Sequence, residues 1–375
     1  MVHAKPAAAA PAPPLSPGDP APWFEAATAA NPRFHFAAAA GRYVLMAFPG
    51  PASNPGAAGA VAAMREAQAS GLLDDDDACG FVVSVDPADD GEGGPRDALP
   101  GLRVFRDRDG AVSRRFGLLG RGDGGALRYL PAAVLLDPLL RVVAVEPLDR
   151  LPRLIGTLRG LPPPGLHAGG AEAPAPVLVL PRVLEPALCE RLVAVYEAGG
   201  GVESGFMVER DGRTVGVYDD SRKRRRDQPI EDEALREAIR ARISRRIAPE
   251  MRKAFQFEAT RIERYIVACY DGASGGHFRA HRDNTTPATA HRRFAVTMNL
   301  NDGFEGGELW FPEFGPRRYR PPAGGAVVFS CSLLHEARPV TAGRRYALLP
   351  FLYDEAAARV REANAGSLAE PAAAE

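Results

Sequence analysis

His281 and Asp283 are separated by one residue, and a third candidate ligand, His335, follows far downstream, with Arg345 ten residues beyond it. Two imidazoles and one carboxylate are the smallest protein set that holds a non-haem iron(II) while leaving coordination positions open. This pattern constrains the fold more than any other part of the chain. On a strand, side chains alternate faces, so positions 281 and 283 point the same way and can grip one ion. His335 then has to arrive on a distant strand that the fold lays alongside. Arg345 supplies a planar, permanently charged fork suited to a carboxylate. Its neighbour Arg344 competes for that role, but on a strand the two face opposite ways, so only one enters the interior. These residues imply an iron site that also holds a dicarboxylate.

Composition excludes several classes. The chain has 375 residues, enough for two domains, and 46% hydrophobic residues, enough for a sizeable core. A net charge of −1 gives no global field toward nucleic acid or an anionic membrane. No apolar run reaches the roughly 18 residues a membrane-spanning helix needs. The four cysteines, Cys79, Cys189, Cys269 and Cys331, form no C-x-x-C pair, which argues against a zinc site and a disulfide framework and suits a reducing cytoplasm.

The expected organisation has five parts. Residues 1–16 are an Ala/Pro-rich, disordered leader. Residues 17–160 alternate apolar runs with helix formers: Tyr43–Phe48, Phe81–Val85, Ala133–Leu136 and Val142–Val145 read as strands, and Gly59–Ser70 as a helix. That alternation predicts an α/β layer. Residues 161–176, rich in Pro, Gly and Ala, form a linker. Residues 177–355 begin with helices over 186–200 and 231–255. From Thr260 the segment becomes strand-rich with turn punctuation, which suits a double-stranded β-helix, or jelly roll. Residues 356–375 are a tail with a frayed helix.

The C-terminal motifs run in a fixed order. They are Ile266-Val267-Ala268-Cys269-Tyr270, His281-Arg282-Asp283, Thr297-Met298-Asn299-Leu300-Asn301, Gly306-Gly307-Glu308-Leu309, Gly324-Gly325-Ala326-Val327-Val328-Phe329, His335 and Arg344-Arg345-Tyr346-Ala347. Together they resemble the prolyl 4-hydroxylase-like branch of the 2-oxoglutarate/Fe(II)-dependent dioxygenases. The resemblance implies iron held by His281, Asp283 and His335, and the far carboxylate of 2-oxoglutarate held by Arg345. Tyr270 is implied as a further cosubstrate contact. Asn299 occupies a position where the family has a tyrosine and is counted with the cosubstrate residues. The implied cofactors are Fe(II) and 2-oxoglutarate, with ascorbate as reductant. The implied partners are O2 and a substrate that is either a protein or peptide side chain, prolyl or other, or a small molecule, with no nucleic acid and no membrane. The intact Asp283 leaves no vacancy for a halide and favours hydroxylation.

The N-terminal part is similar to the peroxiredoxins, which share a thioredoxin-like fold. The similarity rests on Pro17-Gly18-Asp19-Pro20-Ala21-Pro22-Trp23-Phe24, Val44–Pro49, Val83–Asp86, Phe105–Gly110 and Pro131–Pro138, in that order. Peroxiredoxins carry P-x-x-x-T/S-x-x-C, and here that pattern is Pro49, Ser53 and Gly56. A thiolate mechanism cannot run on glycine. Cys79 reads as structural, and the domain as a degenerate module.

Weaker features have plainer readings. The run Arg222-Lys223-Arg224-Arg225-Arg226 reads as a solvated loop, with a mobile lid over the site as its functional alternative. His277 shares strand parity with His281 but follows Gly275-Gly276, which suggests a loop, so it is not counted as a ligand. His291 reads as exposed, and Asp74–Asp77 as a solvated acidic turn. Two functional alternatives compete with a 2-oxoglutarate-dependent hydroxylase. One is a cosubstrate-independent, cupin-type iron dioxygenase, which would not need Arg345. The other is a non-catalytic scaffold, which would not need the His281/Asp283/His335 set. The sequence leaves the substrate and the oligomeric state open.

Overall fold

A computed structural model describes residues 15–121, 126–168, 173–210 and 212–368. The leader expected over residues 1–16 lies, up to residue 14, outside the described residues, and so does the tail beyond 368. The chain forms two compact units, one running through Ala173 with Pro312–Gly315, the other comprising Pro174–Phe311 and Pro316 onward. None of the described helices is long and apolar enough to cross a membrane.

In the first unit β1 (Tyr43–Phe48) is buried at every position. It takes its place in the middle of a mixed sheet with β2 (Ala78–Ser84), β3 (Leu102–Arg106), β4 (Ala132–Leu136) and β5 (Val142–Pro147), in the order β3-β2-β1-β4-β5. The β1-β2 and β2-β3 pairs are parallel, and β4 and β5 are antiparallel additions. A strand covered on both faces needs apolar residues without alternation. Tyr43, Leu45 and Ala47 pack with Met64 of α1 (Ala57–Ala69) and Leu154 of α2 (Leu151–Arg159). Phe81 and Phe105 stack at 4.4 Å and head a run of rings with Phe24, Phe36 and Phe116.

The second unit is mostly β. It opens with β6 (Leu178–Leu180), α3 (Pro186–Gly199), β7 (Val202–Glu203) and a hairpin of β8 (Phe206–Arg210) and β9 (Arg213–Val217). Of the run Arg222–Arg226, expected as a loop, only Arg222 lies in a turn; β10 (Lys223–Arg224) leads through Arg225 into β11 (Arg226–Pro229). Helices α4 (Glu233–Arg242) and α5 (Ala248–Phe255) follow, joined by a π-helical segment at Ile243–Ile247. Pro249 offers no amide to the helical ladder there, which favours such a reset.

The remaining strands are β12 (Arg261–Glu263), β13 (Ile266–Asp271), β14 (His277–His281), β15 (Phe294–Asn299), β16 (Phe304–Gly306), β17 (Leu309–Trp310), β18 (Arg318–Tyr319), β19 (Ala326–Ser330), β20 (His335–Ala337), β21 (Val340–Leu348) and β22 (Phe351–Tyr353), before α6 (Glu355–Ala363). They form two antiparallel sheets. The larger runs β6-β19-β15-β21-β13-β11-β7, and the smaller β10-β14-β20-β17-β18.

Alternation sorts the larger sheet. Val267, Cys269, Val296, Met298 and Leu348 face the helices and pack on Leu192, Tyr196, Ile239 and Met251. Ala268, Tyr270 and Ala347 face the other way and meet Ala337 of the smaller sheet. The interior between the sheets is therefore lined by every second residue, and it receives the polar side chains described below. Leu192 is fully buried on the helix side. Leu192→Ala should cost about 2–5 kcal/mol, the range for a large-to-small change in a packed core. Urea unfolding followed by circular dichroism measures this. A loss below about 1 kcal/mol would mean α3 is not packed as described.

Candidate metal and cosubstrate site

β14 pairs with β20 so that Phe278 faces Ala337 and His281 faces His335, with a register shift between. Three steps on β14 span two on β20, a bulge that keeps Phe278 and His281 on one face despite their odd spacing. The two histidine rings lie 4.3 Å apart. β14 ends at His281, so Asp283 is not its partner on a strand, as expected from alternation, but sits in the turn that follows. The Asp283 amide donates to the Cys331 carbonyl at 3.0 Å, and the Arg282 guanidinium donates to the Ser332 carbonyl. These bonds tie the turn to the segment leading into β20 and turn the carboxylate back toward the histidines.

The donor atoms of His281, Asp283 and His335 lie within 4.8 Å of one another. The Asp283 carboxylate is 3.6 Å from His281 Nε2 and 3.4 Å from His335 Nε2. His281 Nδ1 is 2.7 Å from the Arg279 carbonyl, and His335 Nδ1 is 3.0 Å from the Leu333 carbonyl. Each Nδ1–H therefore donates to a backbone oxygen, which leaves the Nε2 lone pairs directed at the common centre. Burial, with His281 alongside, pushes the His335 imidazole down to about 4, so it is neutral near pH 7 as a ligand must be. Burial raises the Asp283 carboxyl, but His335 and His281 more than offset it and hold it well below the usual carboxylate range. Phe329 and Phe311 wall the His335 ring at 4.6 and 6.3 Å. Two imidazoles with their Nε2 atoms directed inward and a carboxylate, on one side of a partly apolar interior, fit a divalent iron with open positions.

A second group lies on the larger sheet. Arg345 is 3% exposed, and Tyr270 sits directly opposite it across the β13-β21 pair. Its guanidinium carbon lies 5.2 Å from the Tyr270 ring centroid. Arg345 Nε donates to Asn299 Oδ1 at 3.1 Å, and Asn299 Nδ2 donates to the Pro321 carbonyl at 2.7 Å. Asn299 thus orients the guanidinium. Among the described residues, nothing accepts a hydrogen bond from the two terminal nitrogens of Arg345, and that open fork suits a carboxylate. Burial, with Arg225 and Arg320 near, lowers the Arg345 pKa, so an anion there would relieve the charge. Arg344 faces outward, paired with Asp271 at 3.0 Å and Glu197 at 3.7 Å. It belongs to a separate, charge-paired cavity of about 700 Å³ lined by Glu203, Arg224, Arg226 and Asp271 among others.

Sequence reasoning missed Arg225 and Asp227. Arg225 is buried. It donates to both Asp227 oxygens at 2.7 Å, and its Nη1 reaches Tyr270 Oη at 3.3 Å. A charge run was read as solvated because its composition was weighed before its period; alternation applied to 222–226 would have turned 223 and 225 inward.

Two other expectations need correction. His291 is not exposed: it is buried, 2.6 Å from Glu263, which also pairs with Arg292 at 2.7 Å. Asp75 is not a free member of an acidic turn but a bidentate partner of Arg103 at 2.6 and 2.7 Å. His277 is bonded to the Gly275 and Ser221 carbonyls, away from the three ligand candidates. In the first unit, Gly56 stands exposed at the start of α1. Cys79 is buried within β2, and burial pushes its thiol up to about 12, which makes it a poor nucleophile.

Residues 265–353 match the model of the 2OG-Fe(II) oxygenase superfamily. A PKHD-type hydroxylase of Pseudomonas fluorescens is 35% identical over 91 residues, covering 22% of this chain and 39% of that protein. One from Verminephrobacter eiseniae is 32% identical over 96 residues, covering 23% and 40%. The chain thus spans about two-fifths of the length of these two relatives. A PKHD-type hydroxylase of Paraburkholderia phymatum is 29% identical over 181 residues, covering 46% of this chain and 75% of that protein. Among solved structures, a Pseudomonas putida prolyl-4-hydroxylase is similar at 20% identity and a TM-score of 0.35, covering 48% of this chain and 94% of that one.

The buried Arg225–Asp227 pair yields a stability prediction. Burial raises the Asp227 pKa, but the charge and hydrogen bonds of Arg225 prevail and bring it down to about 2. A depressed carboxyl contributes stability that is present above its unfolded pKa, near 3.9, and is lost as the pH falls toward the folded value. Asp227→Asn should cost roughly 3–5 kcal/mol at pH 7 by leaving Arg225 buried without a counter-charge. The acid limb of stability below about pH 4 should then be shallower than in the wild type. Urea midpoints measured from pH 7 downward test both parts.

Proposed function

We propose that this protein is a 2-oxoglutarate-dependent Fe(II) dioxygenase that hydroxylates a C–H bond. The observation that carries this reading is the convergence of the His281, Asp283 and His335 donors within 4.8 Å, in a segment that matches the 2OG-Fe(II) oxygenase superfamily. His281, Asp283 and His335 would hold the iron. Bound there, Fe(II) supplies the oxygen chemistry that couples oxidative decarboxylation of 2-oxoglutarate, to succinate and CO2, with substrate hydroxylation.

The chain's own residues do the positioning. The Arg279 and Leu333 carbonyls keep both imidazoles in the ligating tautomer. Arg345 takes the far carboxylate of the cosubstrate, and Asn299 keeps its fork aimed. Tyr270 lies against that fork, with its hydroxyl held by Arg225. Phe311 and Phe329 keep water from the His335 side.

Finer parts of the reading follow. The substrate is a prolyl or other protein side chain, in keeping with the hydroxylase names of the relatives. Residues 177–355 form the catalytic domain, on a double-stranded β-helix. Residues 17–160 are a thioredoxin-like, peroxiredoxin-derived module without peroxidase activity, supported by the mixed five-stranded sheet and by Gly56. Ascorbate serves as reductant, and the enzyme works in the cytoplasm. A non-catalytic scaffold would gain nothing from three ligand-ready side chains and an open guanidinium, each costly to bury.

Succinate formation from 2-oxoglutarate under Fe(II) and O2 tests the reading. His335→Ala should abolish it while leaving the unfolding midpoint largely intact. Arg345→Ala should raise the KM for 2-oxoglutarate about tenfold to a hundredfold, the loss of a charge-assisted hydrogen bond, with a much smaller effect on iron affinity. Undiminished succinate in His335→Ala would sink the assignment. The Arg345 phenotype appearing in Arg344→Ala instead would mean the wrong guanidinium has been named.

A further inference from the structure

Lys223 lies on the metal-facing side of the smaller sheet. It pairs with Phe278 across β10 and β14, and directly opposed residues of an antiparallel pair share a face. Phe278 touches both Lys223, whose Nζ is 4.8 Å from the ring centroid, and His281, whose ring stacks on it at 3.5 Å. Lys223 is 6% exposed, although Arg222 and Arg224 on either side are exposed.

What Lys223 lacks is a counter-charge. Its ammonium donates to Ser204 Oγ at 2.8 Å and to the Gly205 carbonyl at 2.5 Å, both uncharged acceptors. An ammonium has three protons to give. Among the described residues, no carboxylate lies within ion-pair distance of it. Two of the other interior cations, Arg225 and Arg345, are spoken for. Arg225 is neutralised by Asp227 and also donates to Ser204 and Tyr270. Arg345 is set up for the cosubstrate. Arg264 donates to the Leu349 carbonyl and lies over the Phe351 ring at 4.7 Å.

Formal charges point the same way. Arg225 and Asp227 cancel, an iron dication and a 2-oxoglutarate dianion cancel, and Asp283 offsets Arg345. Lys223 and Arg264 remain as a positive surplus. A buried cation without a partner costs several kcal/mol unless an anion arrives or the group gives up its proton. Burial, with Arg225 beside it, outweighs the more distant carboxylates Asp227 and Asp283 and pushes the Lys223 amine down to about 6. Strongly perturbed groups of this kind concentrate at functional sites.

We infer that Lys223 is the docking point for a carboxylate on the primary substrate, next to the bond that is oxidised. The inference rests on the dioxygenase reading and adds a substrate class to it: a protein or peptide segment that presents an acidic side chain. A carboxylate would accept the third Lys223 proton and neutralise the surplus. The matching amide would do neither, and would leave Lys223 without a counter-ion.

The test uses the full-length protein loaded with Mn(II) and 2-oxoglutarate without O2. The probes are N-acetyl-aspartate and N-acetyl-glutamate α-amides and their side-chain amide isosteres, N-acetyl-asparagine and N-acetyl-glutamine α-amides. Broadening of the probe acetyl proton signal by Mn(II) reports binding beside the metal without turnover. The carboxylate probes should bind at least about tenfold tighter than the amides, the scale of one charge-assisted hydrogen bond. In Lys223→Met that preference should collapse, in Lys223→Arg part of it should persist, and 2-oxoglutarate affinity should move less than about twofold in both. If Lys223→Met fails to fold, Lys223→Ala and Lys223→Gln take its place, and an unchanged carboxylate preference in a folded variant overturns the inference. Equal or absent broadening by the two probe sets overturns the inference. So does a tenfold loss of 2-oxoglutarate affinity in Lys223→Met, which would assign the lysine to the cosubstrate. Failure of wild-type protein to bind Mn(II) or 2-oxoglutarate would instead overturn the dioxygenase reading itself.

Discussion

Everything at this site depends on one cross-strand register, the pairing that sets His281 opposite His335. A one-residue slip in an antiparallel pair sends a side chain to the other face. Phe278 and His281 are three apart and would face opposite ways on a regular strand; the bulge between them puts both on the interior face. The strand then ends at His281, and the Asp283 amide bonds to the Cys331 carbonyl just ahead of β20. The third donor is thus positioned from the same two segments that carry the histidines. One local irregularity accounts for a donor set assembled from positions distant in sequence.

The interior also has to hold charge in a confined space. Arg225 and Asp227 neutralise each other; such a pair is weak evidence for stability, and what it sets here is the bidentate geometry of Arg225. Here that geometry has a use. The pair fixes Arg225, whose Nη1 bonds the Tyr270 hydroxyl, and Tyr270 lies under Arg345. Asn299 grips Arg345 from the other side. A long, flexible arginine is thereby held at its Nε and on one face of its guanidinium while its terminal nitrogens stay open, so less side-chain entropy is left to lose when an anion binds.

The parts of this arrangement that were legible in the sequence are those that depend on strand period alone. Arg345 inside and Arg344 outside follow from alternation once the segment is recognised as a strand, and the structure places them so. Asp283 converges on the two histidines, but a turn, not the strand expected from alternation, delivers it. Lys223 and Arg225 were hidden because five consecutive cations look like a solvated surface, and only the burial of alternate members reveals a strand. His291 was hidden for a related reason. A lone histidine in a polar stretch gives no hint that Glu263, distant in sequence, will arrive to bury it. Asn299 looked like a lost tyrosine contact, whereas the shorter side chain acts on Arg345 itself.

Burying these groups works against folding. Each interior cation gives up hydration that a leucine would not have had, and the apolar core on the helix side of the larger sheet has to offset that loss. The division of labour along the strands is therefore physical. On β13, Val267 and Cys269 face the helices and supply apolar burial, while Tyr270 faces the interior. On β21, Leu348 and Tyr346 do the same for Arg345. Because adjacent residues serve opposite faces, the stability of the outer layer and the charge of the inner one can vary independently.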